Sequence, residues 1–299
     1  MIVYYPIYYK QFKCIADKCK HSCCVGWEIG LDQATANKYS ALDSDFGKEI
    51  RSHISSDGST IRLCEDDRCP FLDGSGLCRI ISSLGEGYIS DICREHPRFY
   101  HRVGDRIEGG IGMSCEEAAR IILSSDNFAE FYSADREVDA PEETDYDSLI
   151  HRSYIYSVLS DKELSYREKM DRIKAKYATN ISYDKDYWNE IFLELEYLDQ
   201  ADAGKIGIGK YDDRAEMQDL FVRFFAYLVF RHVSVAESYD NMRARVAFCI
   251  LLCYALENMT ADREVDFAEA KECARVISEE IEYSEDNTAS LIFELESLV

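Results

Sequence analysis

The sequence predicts a mostly α protein: a small cysteine-rich, metal-binding region with short strands, packed on an all-helical domain. Three observations predict it. Nine of the 12 cysteines lie within residues 14–115. From about residue 146 onward, apolar side chains recur at helical spacing. Only 4 prolines occur in 299 residues, which favours helix over a loop-rich sandwich. The expected division is residues 1–125 for the cysteine-rich domain and residues 140–299 for the helical domain.

The elements follow in order. Residues 1–13, rich in tyrosine and isoleucine, read as an edge strand or an extended arm. CIADKCKHSCC then fills residues 14–24. Trp27, Ile29 and Leu31 alternate, the pattern of a short strand. Asp32 is an N-cap for a helix through QATANKYSAL. CPFLDGSGLCRI at 69–80 reads as a hairpin, which places Cys69 and Cys78 on neighbouring strands. A short helix within 79–90 ends at Gly85 or Gly87, and Pro97 prevents regular helix in CREHPRFYHRV. GDRIEGGIGM reads as a turn between two strands. Ser114 and Glu117 have capping-box spacing, so Cys115 is expected at the first helical position, where the helix dipole favours a thiolate.

Residues 124–148 are polar and acidic, ending in DAPEETDYD, and mark the domain boundary. Helices are then expected at about 146–160, 163–178, 184–200, 213–235, 239–258, 264–281 and 286–298. LFVRFFAYLVFRHV at 220–233 is apolar nearly all round and reads as a central buried helix.

Composition excludes some functions. The net charge is −23, from 57 acidic and 34 basic residues, and there is no basic stripe for a phosphate backbone. Nucleic acid is therefore not an expected partner. Such a surface attracts lysine- or arginine-bearing partners. No apolar run approaches the roughly 20 residues that span a bilayer, so no membrane is expected. The opening MIVYYPIYYKQFK lacks a basic leader and a cleavage site. A cytoplasmic location follows as the expectation, and thiols there stay reduced.

Reduced cysteines at this density point to metal rather than disulfides. Their order is C-x4-C-x3-CC, then C-x8-C-x14-C-x21-C: Cys14, Cys19, Cys23, Cys24, Cys69, Cys78, Cys93 and Cys115. Thiolates in fours hold Zn2+ or an iron–sulfur cluster, and the spacing leaves both open. Eight suffice for two sites. Cys23 and Cys24 are adjacent, so their side chains diverge and are not expected to share one small ion. Cys249, Cys253 and Cys273 read as small apolar side chains on helix faces, and Cys64 likewise as no ligand.

The ordered motifs C-x4-C-x3-CC with GW, CPFL, GLC, CREHPR and SCEEAARIIL resemble the flagellin lysine-N-methylase family. AYLVFRHV and RARVAFCIL continue the likeness into the helical half. The resemblance implies a protein-lysine N-methyltransferase acting on flagellin or another lysine-rich protein, with S-adenosylmethionine as donor and a [4Fe-4S] cluster. It places the eight cysteines named above at the family's cysteine positions. Arg94 and Arg98 sit at the arginines of its CR-x-x-PR motif, and Glu116 stands where proline is common.

The residues themselves supply less for the donor. No Gly-rich strand–helix loop is evident; GKIGIGK at 204–210 reads as a turn. The radical-type C-x3-C-x2-C motif is absent too, since Cys19, Cys23 and Cys24 read C-x3-CC. Arg94 and Arg98 are candidates for the donor's carboxylate, because arginine binds carboxylates bidentately. Arg231, with His232, ends the apolar helix and is a third candidate to line a cleft. The other reading, from a different class, is a non-catalytic iron–sulfur or zinc protein in metal handling or protein interaction.

Overall fold

The structure is a computed structural model that describes residues 2–138, 148–261 and 264–299. In chain order the strands are β1 (Ile2–Pro6), β2 (Ile29–Gly30), β3 (Thr60–Ile61), β4 (Arg98–Val103), β5 (Arg106–Ile111) and β6 (Phe131–Asp135). The helices are α1 (Gln33–Ser40), α2 (Asp45–Ser52), α3 (Arg79–Leu84), α4 (Asp91–Glu95), α5 (Glu116–Leu123) and α6 (Leu149–Leu159). They continue with α7 (Tyr166–Tyr177), α8 (Lys185–Glu194), α9 (Gln218–Leu228), α10 (Tyr239–Thr260), α11 (Phe267–Ile277) and α12 (Glu285–Glu296). The π turns Val229–Val233 and Ser278–Glu282 extend α9 and α11. Two compact units result. The cysteine unit takes residues 13–99 and 115–117, and the helical unit takes residues 1–12, 100–114 and 118–299. The expected linker DAPEETDYD lies outside the described residues.

The cysteine unit is built from short pieces. Asp32 caps α1 as expected, accepting from the Thr35 amide at 2.8 Å, and Ser44 caps α2 through the Gly47 amide at 3.1 Å. The alternation around Ile29 yields β2, paired antiparallel with β3 so that Ile29 faces Ile61. Helix α3 stops at Leu84 because Gly85 takes φ 91°, which suits glycine. Ile29, Tyr39, Ile50, Ile61, Phe71 and Ile80 form the core. Each such side chain contributes about 1.5–3 kcal/mol on burial.

The helical unit is not all helix, which corrects the expectation. It contains a four-stranded sheet in the order β4-β5-β1-β6. β1 runs parallel to β5, with Val3 opposite Ile107, and antiparallel to β6, with Tyr4 opposite Ser133. The N-terminal strand is therefore interior to the sheet, not an edge, because Val3 and Tyr5 bury on one face while both backbone edges find partners. β6 lies in the stretch that reads as polar linker. The β4–β5 turn is Gly104–Asp105, so Gly109 and Gly110 fall inside β5. Gly109 has a packing reason: a Cβ there would stand 2.5 Å from the Tyr5 ring and 2.8 Å from Tyr100.

The helices follow the sequence periodicity closely. The 220–233 segment is a buried helix as expected, α9 with its π turn, and α10 beside it is more deeply enclosed. α10 packs against α7, α9, α11 and α12, and Val246 to Cys253 are all inaccessible. Beneath the sheet, Glu108 of β5 is fully buried. Arg152 of α6 grips it with both terminal nitrogens and donates to Ser234 Oγ at 2.7 Å, and Arg106 also pairs with the carboxylate. Burial alone would raise the Glu108 pKa, but the Arg152 and His101 contacts outweigh it and hold the carboxyl well below its usual range.

Removing one partner of a buried pair leaves an uncompensated charge. Arg152→Ala is expected to cost about 3–5 kcal/mol in urea unfolding followed by circular dichroism. Phe293→Ala, at a side chain 74% exposed, should stay within about 0.5 kcal/mol. Because the folded Glu108 pKa is depressed, its contribution is present above about pH 4.3 and lost as pH falls below that value. The acid limb of the stability curve should therefore flatten in Arg152→Ala.

Candidate metal centre

Four thiols from separate stretches of the cysteine unit lie within electrostatic reach of one another. Cys24 closes the first loop, and its carbonyl accepts the Cys69 amide at 2.8 Å. Cys69 and Cys78 flank a tight loop around Asp73, whose carboxylate accepts from Ser75 N at 2.8 Å, Ser75 Oγ at 2.7 Å and Leu77 N at 3.0 Å. The expected hairpin is thus a loop closed by a single bridge between Leu72 and Cys78, because Cys78 already caps α3. The next residue, Arg79, holds Glu49 bidentately at 2.7 and 3.0 Å. Cys93 comes from α4.

Electrostatics join these four. Cys69, Cys78 and Cys93 each titrate under the charge of Cys24, and Tyr39 under those of Cys93, Cys78 and Cys69. Burial pushes the Cys69 thiol up to about 12, and Cys78 and Cys93 in the same direction. Cys24 is held down to about 6 by the hydrogen bond from the Cys23 thiol, against burial, with Ser22 and Arg68 assisting. The same bond pushes Cys23 up.

The other expected ligands gather around Cys19. Its Sγ lies 3.7 Å from Glu116 Oε2, which also accepts the Lys20 amide at 2.8 Å. Burial raises Cys19 to about 11, with Glu116, Cys115 and Cys14 adding to the shift. Cys23 lies between the sets, under the charges of Cys24, Cys14 and Cys93. Helix α5 begins at Glu116, so Cys115 precedes the first helical residue instead of occupying it. Cys249, Cys253 and Cys273 are buried on α10 and α11, and Cys64 is exposed. Among the described residues, no three His, Cys, Asp or Glu side chains converge to hold a single metal ion.

Two neighbours of the set escape sequence reasoning. Tyr39 borders it as a core residue, its hydroxyl donating to the Tyr88 carbonyl at 2.6 Å. Ser90, at 1% exposure, carries a buried hydroxyl without a hydrogen bond of ordinary geometry, and it neighbours Cys93. Its position three before Cys93 was the available signal.

No protein-family model and no solved structure matches the chain. Curated relatives do. The lysine-N-methylase of Salmonella typhimurium is 31% identical over 127 residues, 40% of this chain and 32% of the relative. That of Salmonella choleraesuis matches with the same figures. The flagellar biosynthetic protein FliU of Salmonella muenchen is 30% identical over 127 residues, 40% of this chain and 75% of FliU. The chain belongs to the flagellin lysine-N-methylase family. It spans about a third of the length of the two lysine-N-methylases it matches.

The arginines of the methylase-family motif contact their own chain. Arg94 pairs with Asp91 and donates to the Ile89 carbonyl at 2.7 Å. Arg98 donates to the Arg94 carbonyl at 3.3 Å. Arg231 belongs to the helical unit, on the π turn after α9. Its Nε lies 3.4 Å from Glu282 Oε1, its Nη1 donates to the Tyr227 hydroxyl at 3.4 Å, and its guanidinium stacks 4.9 Å over Tyr283. His232 Nε2 approaches the same Glu282 oxygen at 2.7 Å. GKIGIGK is a loop, latched where Asn189 Oδ1 accepts the Ile208 amide at 2.7 Å.

Arg231→Met leaves the buried Glu282 with His232 as its remaining basic partner. The expected loss is about 3 kcal/mol of stability, the cost of stranding one charge of a buried pair. Thermal unfolding with and without S-adenosylmethionine checks it: a structural arginine costs the same in both.

Proposed function

We propose that this chain is a protein-lysine N-methyltransferase that uses S-adenosylmethionine to methylate flagellin or a similar lysine-rich surface protein in the cytoplasm. The observation that carries this is the 31% identity to proteins named lysine-N-methylase. No helix among the described residues is long and apolar enough to cross a membrane.

The chemistry of the thiol set, four cysteines within mutual electrostatic reach, supports a [4Fe-4S] cluster. Cys24, Cys69, Cys78 and Cys93 would hold it, each thiolate on a different iron, so the sulfurs need not converge on one point. Zinc, the alternative, needs four ligands at about 2.3 Å from one centre. The Ser90 hydroxyl supports a ligated Cys93, since a thiolate there supplies its missing acceptor. When bound, such a cluster, with all four irons held by cysteine, supplies one-electron transfer; the donor's amino-carboxylate could ligate iron only if one of the four cysteines gave way.

Methylation moves CH3 from the donor sulfonium to the lysine nitrogen, which must first lose its proton. With a pKa near 10.4, that loss needs desolvation or a base. The excess of 57 acidic over 34 basic residues would draw lysine-bearing partners to the chain. A second reading is a non-catalytic iron–sulfur or zinc protein. The internal contacts of Arg94 and Arg231 favour it, because both cations meet anions or carbonyls of the chain itself.

Iron, sulfide and zinc should be assayed on protein purified without oxygen, then methylation of flagellin lysines followed by mass spectrometry with labelled donor. Iron and sulfide in cluster ratio plus label on lysine support the first reading. Iron without label supports the second, and zinc without iron removes the cluster. Cys93→Ser is expected to lose most of the iron, and Cys64→Ser to keep it. Ser90→Ala should keep iron but lower the midpoint potential by about 40 mV, the equivalent of a ~1 kcal/mol hydrogen bond to sulfur that favours the reduced state.

A further inference from the structure

We infer that Asp32 is a positioning residue for Cys93, acting through a clamp that α1 closes on residues 87–91. Asp32 lies 61 residues before Cys93. Its Oδ1 accepts the Thr35 amide at 2.8 Å and its Oδ2 accepts the Asp91 amide at 3.0 Å. One carboxylate therefore caps two helices, its own α1 and the α4 that carries Cys93. Two further bonds run from α1 to the approach of α4. Lys38 Nζ donates to the Gly87 carbonyl at 2.7 Å, and the Tyr39 hydroxyl donates to the Tyr88 carbonyl at 2.6 Å.

The clamp answers a physical need. α4 has five residues, far below the length at which a helix stands alone. Ser90, its N-cap residue, makes no side-chain cap bond. Something else must hold the first amides of α4, and Asp32 does so from a distant, regular helix. Arg94 locks the same turn from the other side through Asp91 and the Ile89 carbonyl. Residues that orient a metal ligand matter nearly as much as the ligand itself. The consequence for iron rests on the cluster proposed above; the consequence for α4 does not.

Asp32→Ala is compared with Ser44→Ala, which removes a cap from α2 in the same unit and leaves α4 untouched. Asp32→Asn keeps one acceptor oxygen, and Lys38→Met cuts the other end of the clamp. Two readouts are taken. The first is amide hydrogen exchange over residues 91–96 in metal-free, reduced protein. The second is the rate of iron loss to a chelator from protein purified without oxygen. Asp32→Ala is expected to speed both about fivefold, Asp32→Asn and Lys38→Met less, and Ser44→Ala neither. Equal exchange in Asp32→Ala and Ser44→Ala would overturn the inference, whether or not the chain carries iron. Faster α4 exchange in a chain that never holds iron would leave the clamp standing and remove the cluster. If Asp32→Ala does not fold, the Asp32→Asn and Lys38→Met pair decides by the same comparison.

Discussion

The hydrogen bond from the Cys69 amide to the Cys24 carbonyl is the joint on which the cysteine unit depends. It closes a loop of 45 residues and brings the first cysteine run beside the Asp73 turn. Closure of that length carries an entropic cost that grows only slowly with further residues. The cost must still be met by a unit whose helices have five to eight residues and whose two strands have two each. Elements that short are marginal alone. A bound metal would add folding energy where the apolar core is small. Ligation of the thiols around Cys24 would release their protons as it completes the fold.

The helical unit solves a different problem. Its apolar core needs no external help, with Val246 to Cys253 of α10 all inaccessible. Its difficulty is buried acid. Glu108, Glu257 and Glu282 are each fully or nearly fully buried, and each meets arginine: Arg152, Arg167 and Arg231 respectively. Desolvation makes such pairs poor sources of net stability, but losing one member is costly. The inward turn of Arg231 follows from this need to neutralise Glu282.

Helices were legible because their apolar spacing is local. Asp32 as a cap, α6 to α12 and the stop at Gly85 all follow from residues within one or two turns. The sheet was not legible, because β1 finds its parallel partner β5 a hundred residues later and no local pattern marks that pairing. β6 hid in a polar stretch, since its FYSAD residues are at most half-buried. The cysteines show the same divide. Density and order pointed to metal chemistry, whereas the split into a set around Cys24 and a set around Cys19 depends on tertiary bonds such as Cys69 to Cys24 and Lys20 to Glu116.

The CREHPR stretch shows why motif residues resist assignment by type. Arginine beside a ligand cysteine suggests an anion site, since its fork matches a carboxylate. Here Arg94 spends that fork on Asp91 and the Ile89 carbonyl, and Arg98 reaches the Arg94 carbonyl. All three contacts brace the backbone that carries Cys93. A five-residue helix cannot hold a thiolate at a fixed point without such bracing. Residues around a ligand cysteine are then as readily explained by the geometry of the ligand as by a second molecule bound beside it.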